Sequence, residues 1–456
     1  DRESGTPTVT FYLNGVTRGA INLSESDLAD ETIFASINSF NTSGAEVTFN
    51  FGQDSSFAGV LTAQGNQDSN GKGDFYYEPP ADHLALCTDN LSDPEIALPG
   101  EYFNTVLYTG DGAADHEITG VGFQPDFSWV KMRSSTGQHM LFDAIRGAGQ
   151  YLVSNNNEED KTDASSLLSF DSDGISVGSG YHVNSNTATF ANWNWKAGGA
   201  PTADNDNTSG AMDANSVALN GSLQASYTPE GSPSIYPTKM SINTTAGFSI
   251  IEYDGNSTAG ATLPHGLTQA PDITFVKELT YVDNWVSFAE PLGNTKALFL
   301  DQDNAAGTHT TYWNDTSPSS TVITLGTDGK ANSSRPHIMY AFHSVEGYSK
   351  VGSYTGNANA DGPFVYTGFK PAMVIIKQTT TANWFIFDDA RDTYNVVEDT
   401  LKPSTNDAET DVDTLDFVSN GFKLRNNSGT SSTNDSGVSI LYLAFAESPF
   451  KTSNAR

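Results

Sequence analysis

The stretch YTGDGAADHEITGVGFQPDFSWVK, residues 108–131, occurs three times in related form. It returns as YDGNSTAGATLPHGLTQAPDITFVK at 253–277 and as YTGNANADGPFVYTGFKPAMVIIK at 354–377. Each copy opens with Tyr-x-Gly, crosses a polar turn, and carries a proline six residues before a lysine that ends an apolar strand. Internal repetition of this kind predicts three units of the same architecture.

Two further anchors follow each copy at comparable spacing. The first is a turn of the form apolar-x-Ser/Thr-Asp/Asn-Gly, which predicts a β-hairpin at 170–174, 325–329 and 417–421. The second is an aromatic-rich strand that ends 64, 65 and 68 residues after the anchor lysine, at Trp195, Phe342 and Phe445. Each unit is therefore about 100 residues long, the size of a small β-sandwich.

Short strands separated by turns, with almost no helical periodicity, indicate an all-β chain. We predict tandem β-sandwich modules of jelly-roll or concanavalin-like type in an elongated array. Repeats two and three adjoin with almost no linker, which favours a stiff row of modules. The predicted domains are a β domain with its connector at 1–100, repeat one at 101–196, an extended linker or insertion at 197–246, repeat two at 247–349 and repeat three at 350–456.

The first 100 residues carry their own strand signals. TVTFYLNGVTRGAI (8–21) alternates apolar and polar residues around Asn14-Gly15, which predicts a hairpin. ASINSFNTSGAEVTFNFGQ (35–53) repeats that pattern, and SESDLADETIF (24–34) allows one helical turn. The single cysteine, Cys87, excludes an intrachain disulfide, and its place in the apolar run HLALC predicts that it is buried.

The charge balance excludes several classes of partner. Acidic residues outnumber basic residues 55 to 22, which gives a formal net charge of −33. Such a chain repels nucleic acid and anionic lipid, so we expect no nucleic-acid partner. No stretch approaches the length of apolar sequence that spans a bilayer, so we expect no membrane insertion. The acidity favours solubility in salty water and leaves open that some carboxylates bind Ca²⁺.

Residues with catalytic potential form no recognisable active-site pattern. The eight histidines are scattered, without metal-hydrolase spacing. GISVG (174–178) puts Ser176 at the nucleophile position of Gly-x-Ser-x-Gly, but the chain continues there as a strand instead of entering a helix. The paired carboxylates lie in polar stretches typical of solvated loops, at Asp388-Asp389, 158–160, Asp411 and Asp413. We expect no enzymatic activity and no required cofactor.

Calcium is the one ion for which candidate ligands occur. Asp171 and Asp173 form one closely spaced pair, and Asp204 and Asp206 form another. Neither pair has the full EF-hand spacing, and a hairpin turn explains the first pair equally well.

Aromatic side chains beside polar turns provide candidates for ligand binding. Trp285, Trp313 and Trp384 have the neighbours expected of residues that stack on a sugar ring. Trp285 and Trp384 also hold equivalent places in two repeats, which favours a role in the core instead.

Several segments resemble those of known families. VTFYLNG and EVTFNFGQ, within residues 8–53, resemble the C-terminal half of a SPRY-type, concanavalin-like domain. GDFYYEPPADHLALCTDNLSDPEI (73–96) is similar to stretches that follow this domain in tailed-phage structural proteins, particularly marine ones. GFQPDFSWVKMRSS and ANWNWKAGG in repeat one, with GFSIIEYDG in repeat two, resemble the tandem modules of phage tail-fibre or virion-surface proteins.

The resemblance implies a non-enzymatic virion protein, a tail fibre or surface-decorating appendage that contributes to host attachment. Expected partners are other virion subunits and a glycan or protein of the host surface, with a homo-oligomer such as a trimer. The expected location is the virion surface, outside the cell. A bacterial cell-surface or extracellular-filament adhesin with carbohydrate-binding modules is the alternative. A tail-spike polysaccharide depolymerase is a third reading, and it would need a carboxylate pair in a groove.

Overall fold

The computed structural model describes residues 8–22, 48–426 and 432–453. The chain divides into two compact units, Asp1–Ser92 and Asp93–Arg456, so the first boundary falls before the predicted one at residue 100. The described residues form thirty β-strands, two four-residue α-helices and three short 3-10 helices, which confirms the all-β fold. The helical turn expected at 24–34 and most of the hairpin expected at 35–53 lie outside the described residues.

The described part of the first unit opens with the predicted hairpin. Strand β1 (Thr8–Leu13) pairs antiparallel with β2 (Val16–Asn22). Asn14 and Gly15 have φ angles of 51° and 75°, the left-handed values that a two-residue Asn-Gly turn requires. The hairpin prediction is therefore confirmed.

Residues 48–92 contain one 3-10 helix, Thr88–Asn90, and no strand. Cys87 is exposed, so the prediction that it is buried is wrong. Only Ala85 is buried within the run 83–87. Because this run forms no strand, its apolar side chains do not all face one core.

The second unit contains three modules, each with an inner and an outer sheet. In the first module the inner sheet has the order β3-β11-β5-β6-β7-β8 and the outer sheet the order β4-β10-β9. Its elements are β3 (Phe103–Thr109), β4 (His116–Thr119), β5 (Phe127–Met132), β6 (His139–Asp143), β7 (Gln150–Val153), β8 (Lys161–Thr162), β9 (Leu167–Asp171), β10 (Gly174–Val177), helix α1 (Tyr181–Asn184) and β11 (Thr189–Trp195). A 3-10 helix, Pro99–Glu101, precedes β3.

In the second module the inner sheet has the order β13-β12-β14-β15-β22-β17-β18, and β16 pairs with β21 in the outer sheet. Its elements are β12 (Val217–Leu219), β13 (Ser222–Leu223), β14 (Pro237–Asn243), β15 (Phe248–Asp254), β16 (Ala261–Pro264), β17 (Ile273–Glu278), β18 (Val286–Ala289), a 3-10 helix (Glu290–Leu292), β19 (Lys296–Ala297), β20 (Gly307–Thr308), β21 (Val322–Leu325), helix α2 (Gly329–Asn332) and β22 (Pro336–Phe342). The short strands β19 and β20 pair with each other.

In the third module the inner sheet has the order β23-β30-β25-β26 and the outer sheet the order β24-β29-β28-β27. Its strands are β23 (Ser349–Thr355), β24 (Phe364–Tyr366), β25 (Phe369–Gln378), β26 (Phe385–Asp388), β27 (Val397–Thr400), β28 (Thr410–Val418), β29 (Gly421–Leu424) and β30 (Ser439–Pro449). In all three modules the last strand lies between the first strand and the strand that carries the anchor lysine.

The repeated Asp/Asn-Gly turn has two different structures. It joins β9 to β10 and β28 to β29 as predicted. In the second module the hairpin prediction is wrong, because Asp328 accepts a hydrogen bond from the Lys330 backbone N at 3.0 Å and caps helix α2. Asp is favoured both in turns and at helix N-caps, so the local sequence alone does not distinguish the two.

Residues 197–246 form more than the extended linker that the sequence suggests. They contribute β12, β13 and β14 to the inner sheet of the second module, where β14 pairs with β15. The equivalent strands β3 and β23 are sheet edges in the other modules. The insertion therefore covers an edge strand that would otherwise present unpaired backbone groups.

The repeated Tyr-x-Gly fixes the start of each module to its end. Each tyrosine hydroxyl donates to the carbonyl of the residue before a buried asparagine, Tyr108 to Val183 at 2.5 Å, Tyr253 to Ala331 at 2.7 Å and Tyr354 to Thr433 at 2.6 Å. The asparagines then bind the loop that follows the glycine, since the backbone N of Asp111, Asn256 and Asn357 donates to Asn184, Asn332 and Asn434.

The glycine of this motif is required by a close approach of the backbone. A Cβ atom at Gly110, Gly255 or Gly356 would lie only 2.2–2.3 Å from the carbonyl oxygen of the residue after the buried asparagine. None of these three glycines has a positive φ angle. Space, and not backbone conformation, therefore excludes a side chain there.

The inner sheets are buried on both faces. On the lysine-ending strands, Val130, Val276 and Val374 face the outer sheet of their own module. On each of these strands, the residues on the opposite face from the valine contact a second hydrophobic core, which the three modules share. They include Phe127, Trp129, Ile273, Phe275, Met373 and Ile375. Strands buried on both faces read as continuous apolar runs, as FSWVKM and FKPAMVIIKQ do here.

The shared core corrects the predicted elongated array. The ends of the three last strands meet in it, with ring centroids 5.6 Å apart for Trp195 and Phe445 and 5.8 Å apart for Phe342 and Phe445. Phe127 of the first module also lies 4.6 Å from Tyr340 of the second. The three modules therefore pack around one common centre and do not follow one another in a row.

Replacing Gly110 by alanine tests the Tyr-x-Gly contact. We expect Gly110→Ala to lower the free energy of unfolding by about 1–3 kcal/mol, because the new methyl group overlaps the Ser185 carbonyl. Gly100→Ala is the matched control, since a Cβ there meets nothing within 4 Å, and its effect should stay within about 0.5 kcal/mol. Urea unfolding measures both variants, and equal stability of the two would contradict the contact.

Candidate functional site

The three tryptophans that the sequence offers for sugar stacking are buried. Trp285, Trp313 and Trp384 expose only 0%, 1% and 2% of their surface. The indole N–H of Trp285 donates to Val153 of the first module at 2.9 Å, and that of Trp384 donates to Phe299 of the second module at 2.8 Å. Trp285 and Trp384 therefore join modules, whereas Trp313 donates to Lys296 at 3.2 Å within the second module. None of the three rings presents a face to a glycan, which corrects the expectation of a ligand-binding role.

The first pair of calcium candidates is occupied by hydrogen bonds to other residues of the first module. Asp171 accepts from the hydroxyls of Ser169 and Ser176, both at 2.7 Å. Asp173 instead accepts from the backbone N of Gly120 and Gly122, at 3.1 and 2.6 Å. The two carboxylates hold different segments, and Ser176 is a strand residue bound to an aspartate.

The second pair is no more convergent. Asp204 lies 3.0 Å from the ammonium of Lys239, and the backbone N of Asp206 donates to Asp213 at 2.9 Å. Within 8–22, 48–426 and 432–453, no three His, Cys, Asp or Glu side chains come together as metal ligands. In neither aspartate pair, therefore, do the carboxylates converge on a common point as a calcium site requires.

The anchor lysines Lys131, Lys277 and Lys377 are all fully buried. Their ammonium groups donate to main-chain carbonyls, for Lys131 to Met132 at 2.6 Å and for Lys277 to Glu278 at 2.8 Å. Lys377 donates to Ala382 at 2.6 Å and also crosses to Asn304 of the second module at 3.0 Å. Burial lowers the pKa of each lysine to about 8.

A main-chain hydrogen bond recurs at every boundary between modules. Its acceptor is the residue two positions after the anchor lysine, and its donor belongs to another module. The bonds run from Asp160 to Leu279 at 2.8 Å, from Ala306 to Thr379 at 2.8 Å and from Glu409 to Arg133 at 2.9 Å. The donors lie in the first, second and third modules, so the three bonds close a ring.

Two of these boundaries carry a buried arginine between two carboxylates. In the first module Arg146 lies 2.6 Å from Asp143 and 2.7 Å from Asp160. In the third module Arg391 lies 2.6 Å from Asp388 and 2.9 Å from Glu409. Such buried charges are tolerated only when their partners and hydrogen bonds are complete.

For Asp388 and Asp160 these triads correct the interpretation of the paired carboxylates as solvated loop charge, whereas Glu158 and Asp411 are exposed as that interpretation expects. Asp388 is fully buried, and burial raises the pKa of Asp160 at its boundary. The arginines were the functional residues that sequence reasoning missed. The repeated FDxxR at 142–146 and 387–391 is the signal that identifies them.

The second module replaces the whole triad by apolar residues. The strand register aligns Ala289 with Asp143 and Asp388, because each pairs with the residue four positions before the anchor lysine of its module. Leu292 and Ala306 then hold the places of the arginine and the second carboxylate, and both pack on the shared core. No member of the triad remains alone.

The residue opposite the triad changes with it. Trp193 donates to Asp388 at 2.9 Å, and Tyr340 donates to Asp143 at 2.7 Å, in each case from another module. The equivalent residue of the third module is Leu443, which has no polar hydrogen to donate. A donor thus stands where the neighbouring module supplies a carboxylate, and a leucine where it supplies Ala289.

Three further carboxyl groups, which are buried in Asp126 and half-buried in Glu252 and Asp301, have separate partners. Burial raises the pKa of Asp126, Glu252 and Asp301 to about 7. Asp126 accepts from the Gly199 backbone N at 3.1 Å, and Asp301 accepts from that of Trp285 at 3.2 Å. Glu252 lies 3.9 Å from Lys239. These contacts hold strands and loops in place.

A surface groove of about 390 Å³ lies beside the insertion in the second module. One wall comes from the insertion and includes Tyr227, Thr228 and Glu230. The facing walls come from residues 266–268 and from Ser320 and Thr321. The volume lies within the range of about 300–1,000 Å³ that small-molecule sites occupy.

The walls of this groove are held by hydrogen bonds. Ser234 and Thr262 exchange two of them, which fix the insertion to β16. His265 accepts from the Leu267 backbone N at 3.1 Å, and its other ring nitrogen lies 3.1 Å from the Ser319 carbonyl. The groove is therefore formed in advance of any ligand.

The family described as Domain of unknown function (DUF7483) matches residues 98–234 and 224–449. The chain belongs to this family. Both matched segments lie in the three-module unit, and they overlap within the insertion. No curated protein and no solved structure matches the chain. In the described part of the chain, no helix has the length and hydrophobicity needed to cross a membrane.

Introducing the apolar residues of the second module at the arginine triad of the first module tests whether the two sets are interchangeable. Asp143→Ala should lower the free energy of unfolding by about 3–5 kcal/mol, because it leaves Arg146 buried with an incomplete set of partners. The combination of Asp143→Ala, Arg146→Leu, Asp160→Ala and Tyr340→Leu reproduces the apolar boundary and should recover at least half of that loss. Urea unfolding provides the measurement. A combined variant less stable than Asp143→Ala alone would refute the exchange.

The anchor lysines predict a pH dependence of stability. Their pKa is about 8 in the folded chain and about 10.4 when unfolded. The unfolded chain therefore binds more protons in this interval, and stability rises with pH from about 8 toward 10. Each lysine contributes at most about 3 kcal/mol.

The substitution Lys131→Met separates this contribution from other titrations. It removes the buried ammonium, so the rise in unfolding free energy between pH 7.5 and 9.5 should be smaller than in the unmodified chain, at roughly one third less if the three lysines contribute equally. Exposed Lys296→Met is the control and should leave the slope unchanged. An unaltered slope in Lys131→Met would show that this lysine keeps its ordinary pKa.

Proposed function

We propose that this chain is a non-enzymatic structural and attachment protein on the virion surface of a tailed phage, as a tail fibre or surface-decorating appendage. The observation that carries the proposal is the closed ring of three modules. Main-chain bonds link every pair of modules, and the aromatic ends of the last strands fill the common centre.

The proposed role is passive because the buried ionisable groups already serve as connections. The arginines join carboxylates at two boundaries, and the lysines bind main-chain carbonyls. The small cavity of about 20 Å³ at the centre is lined by residues of the shared core and has room for about one water molecule. We therefore assign these groups a structural role in a rigid body and no role in catalysis.

A rigid body of this kind suits weak attachment at many sites. Loops fixed on one frame keep their relative positions, and repeated copies on a particle multiply contacts that are individually weak. The proposed partners are other virion subunits and a glycan or protein of the host surface. The net charge of −33 opposes contact with nucleic acid, so the proposal places the chain outside the particle.

Locating the chain on purified particles tests this proposal. Mass spectrometry of density-purified virions should detect its peptides, and antibody labelling in the electron microscope should place it on the tail or surface. The major capsid protein in the same preparation is the positive control. Detection on bacterial cell envelopes, with none on virions, would refute the proposal and favour the adhesin alternative.

A further inference from the structure

The groove of the second module has the chemistry of a neutral sugar site, and we propose that it binds one sugar residue of a surface glycan. This inference rests on the proposed attachment function and names the class of ligand. The groove is lined by Leu219, Tyr227, Thr228, Glu230, Thr244, Gly266, Leu267, Thr268, Ser320 and Thr321.

Hydroxyl groups dominate this lining. Six of the ten residues carry one, and a hydroxyl both donates and accepts hydrogen bonds, as each hydroxyl of a sugar does. Within the described part of the chain, the side chains of Thr228, Glu230 and Ser320 are exposed and have no hydrogen bond to protein. Their polar groups are therefore available to a ligand.

The charge of the groove selects a neutral ligand. Glu230 is its only charged side chain, and no lysine or arginine lines it. A carboxylate accepts hydrogen bonds from neighbouring hydroxyls and repels phosphate, sulfate and acidic sugars. Tyr227 beside it adds an aromatic surface for the apolar face of a sugar ring.

Two glycines bring the walls of the groove close together. Gly266 has a φ of +72°, and a Cβ there would lie 2.4 Å from the Ile242 side chain and 3.2 Å from the Tyr227 hydroxyl. Gly231 has a φ of +77°, and a Cβ there would lie 2.6 Å from the Thr321 hydroxyl. Both the positive φ and the close approach therefore require glycine at these two positions of the walls.

The position of the groove distinguishes the second module from its neighbours. Half of its lining residues, Leu219, Tyr227, Thr228, Glu230 and Thr244, come from the insertion 197–246. The first strands β3 and β23 of the other modules have no such segment beside them. One ring of three modules would therefore carry one groove of this kind.

Binding of defined glycosides to the whole chain tests the inference. The probes are methyl glycosides of glucose, galactose, mannose and N-acetylglucosamine, with sialic acid and glucuronic acid as anionic counterparts. Saturation-transfer NMR and calorimetry should detect at least one neutral glycoside and neither acid. Binding of none of the neutral probes, or stronger binding of the acids, overturns the inference.

Two variants locate the binding. Glu230→Gln removes the charge while keeping the shape, and it should weaken binding about tenfold or more, since hydrogen bonds to a charged group are the strong ones. Ser320→Trp fills the groove from an exposed position and should abolish binding with an unchanged unfolding temperature. Glu117→Gln, an exposed change on β4 of the first module, is the matched control and should bind as the unmodified chain does.

The inference and the proposed function fail in different ways. If both groove variants bind the glycoside normally, the groove is not the site, whatever the location of the chain. If binding depends on the groove but virions lack the chain, the sugar site stands and the virion function fails. If virions carry the chain and particles with Ser320→Trp adsorb to host cells normally, the groove has no part in attachment.

Discussion

The burial of both faces of every inner sheet is the constraint on which the second unit depends. One face of each sheet packs on its own outer sheet, and the other meets the two neighbouring modules. A module alone would expose a contiguous surface of aromatic and aliphatic side chains, such as that formed by Phe127, Trp129 and Trp195, which soluble proteins rarely leave uncovered. Packing three modules around a common centre removes that surface.

The polar contacts specify how the modules meet, more than they add to stability. Desolvation of buried ions costs about as much as their attraction returns, so the two arginine triads contribute little net free energy. They specify the contact between modules because a triad that lacks one partner leaves an unpaired buried charge, which is strongly destabilising. The apolar third boundary fits this view, because Ala289, Leu292 and Leu443 replace carboxylate, arginine and donor together. Each boundary is satisfied as a complete set, polar or apolar.

Much of the fold follows from local pattern, and its assembly does not. The repeats, the Asn14-Gly15 hairpin and two of the three later turns were predictable because the signals lie within a few residues of each other. The shared core was not, because a continuous apolar strand indicates two buried faces without saying what covers the second. The sequence leaves Trp285 and Trp384 open between sugar stacking and a core role, because it does not show which module covers them. Cys87 was misjudged because an apolar run outside a strand has no defined face.

The groove illustrates where such a body has freedom to acquire a specific contact. Within each module the tyrosine, glycine, asparagine and lysine of the repeat are all committed to internal contacts. A change at any of these residues disturbs the contact that it makes. The insertion takes no part in these repeated contacts. It extends a sheet edge and is held there by the pairing of β14 with β15. A binding surface requires residues that are held in place and whose side chains are not needed for the repeated contacts. In the described chain, residues 197–246 meet both conditions.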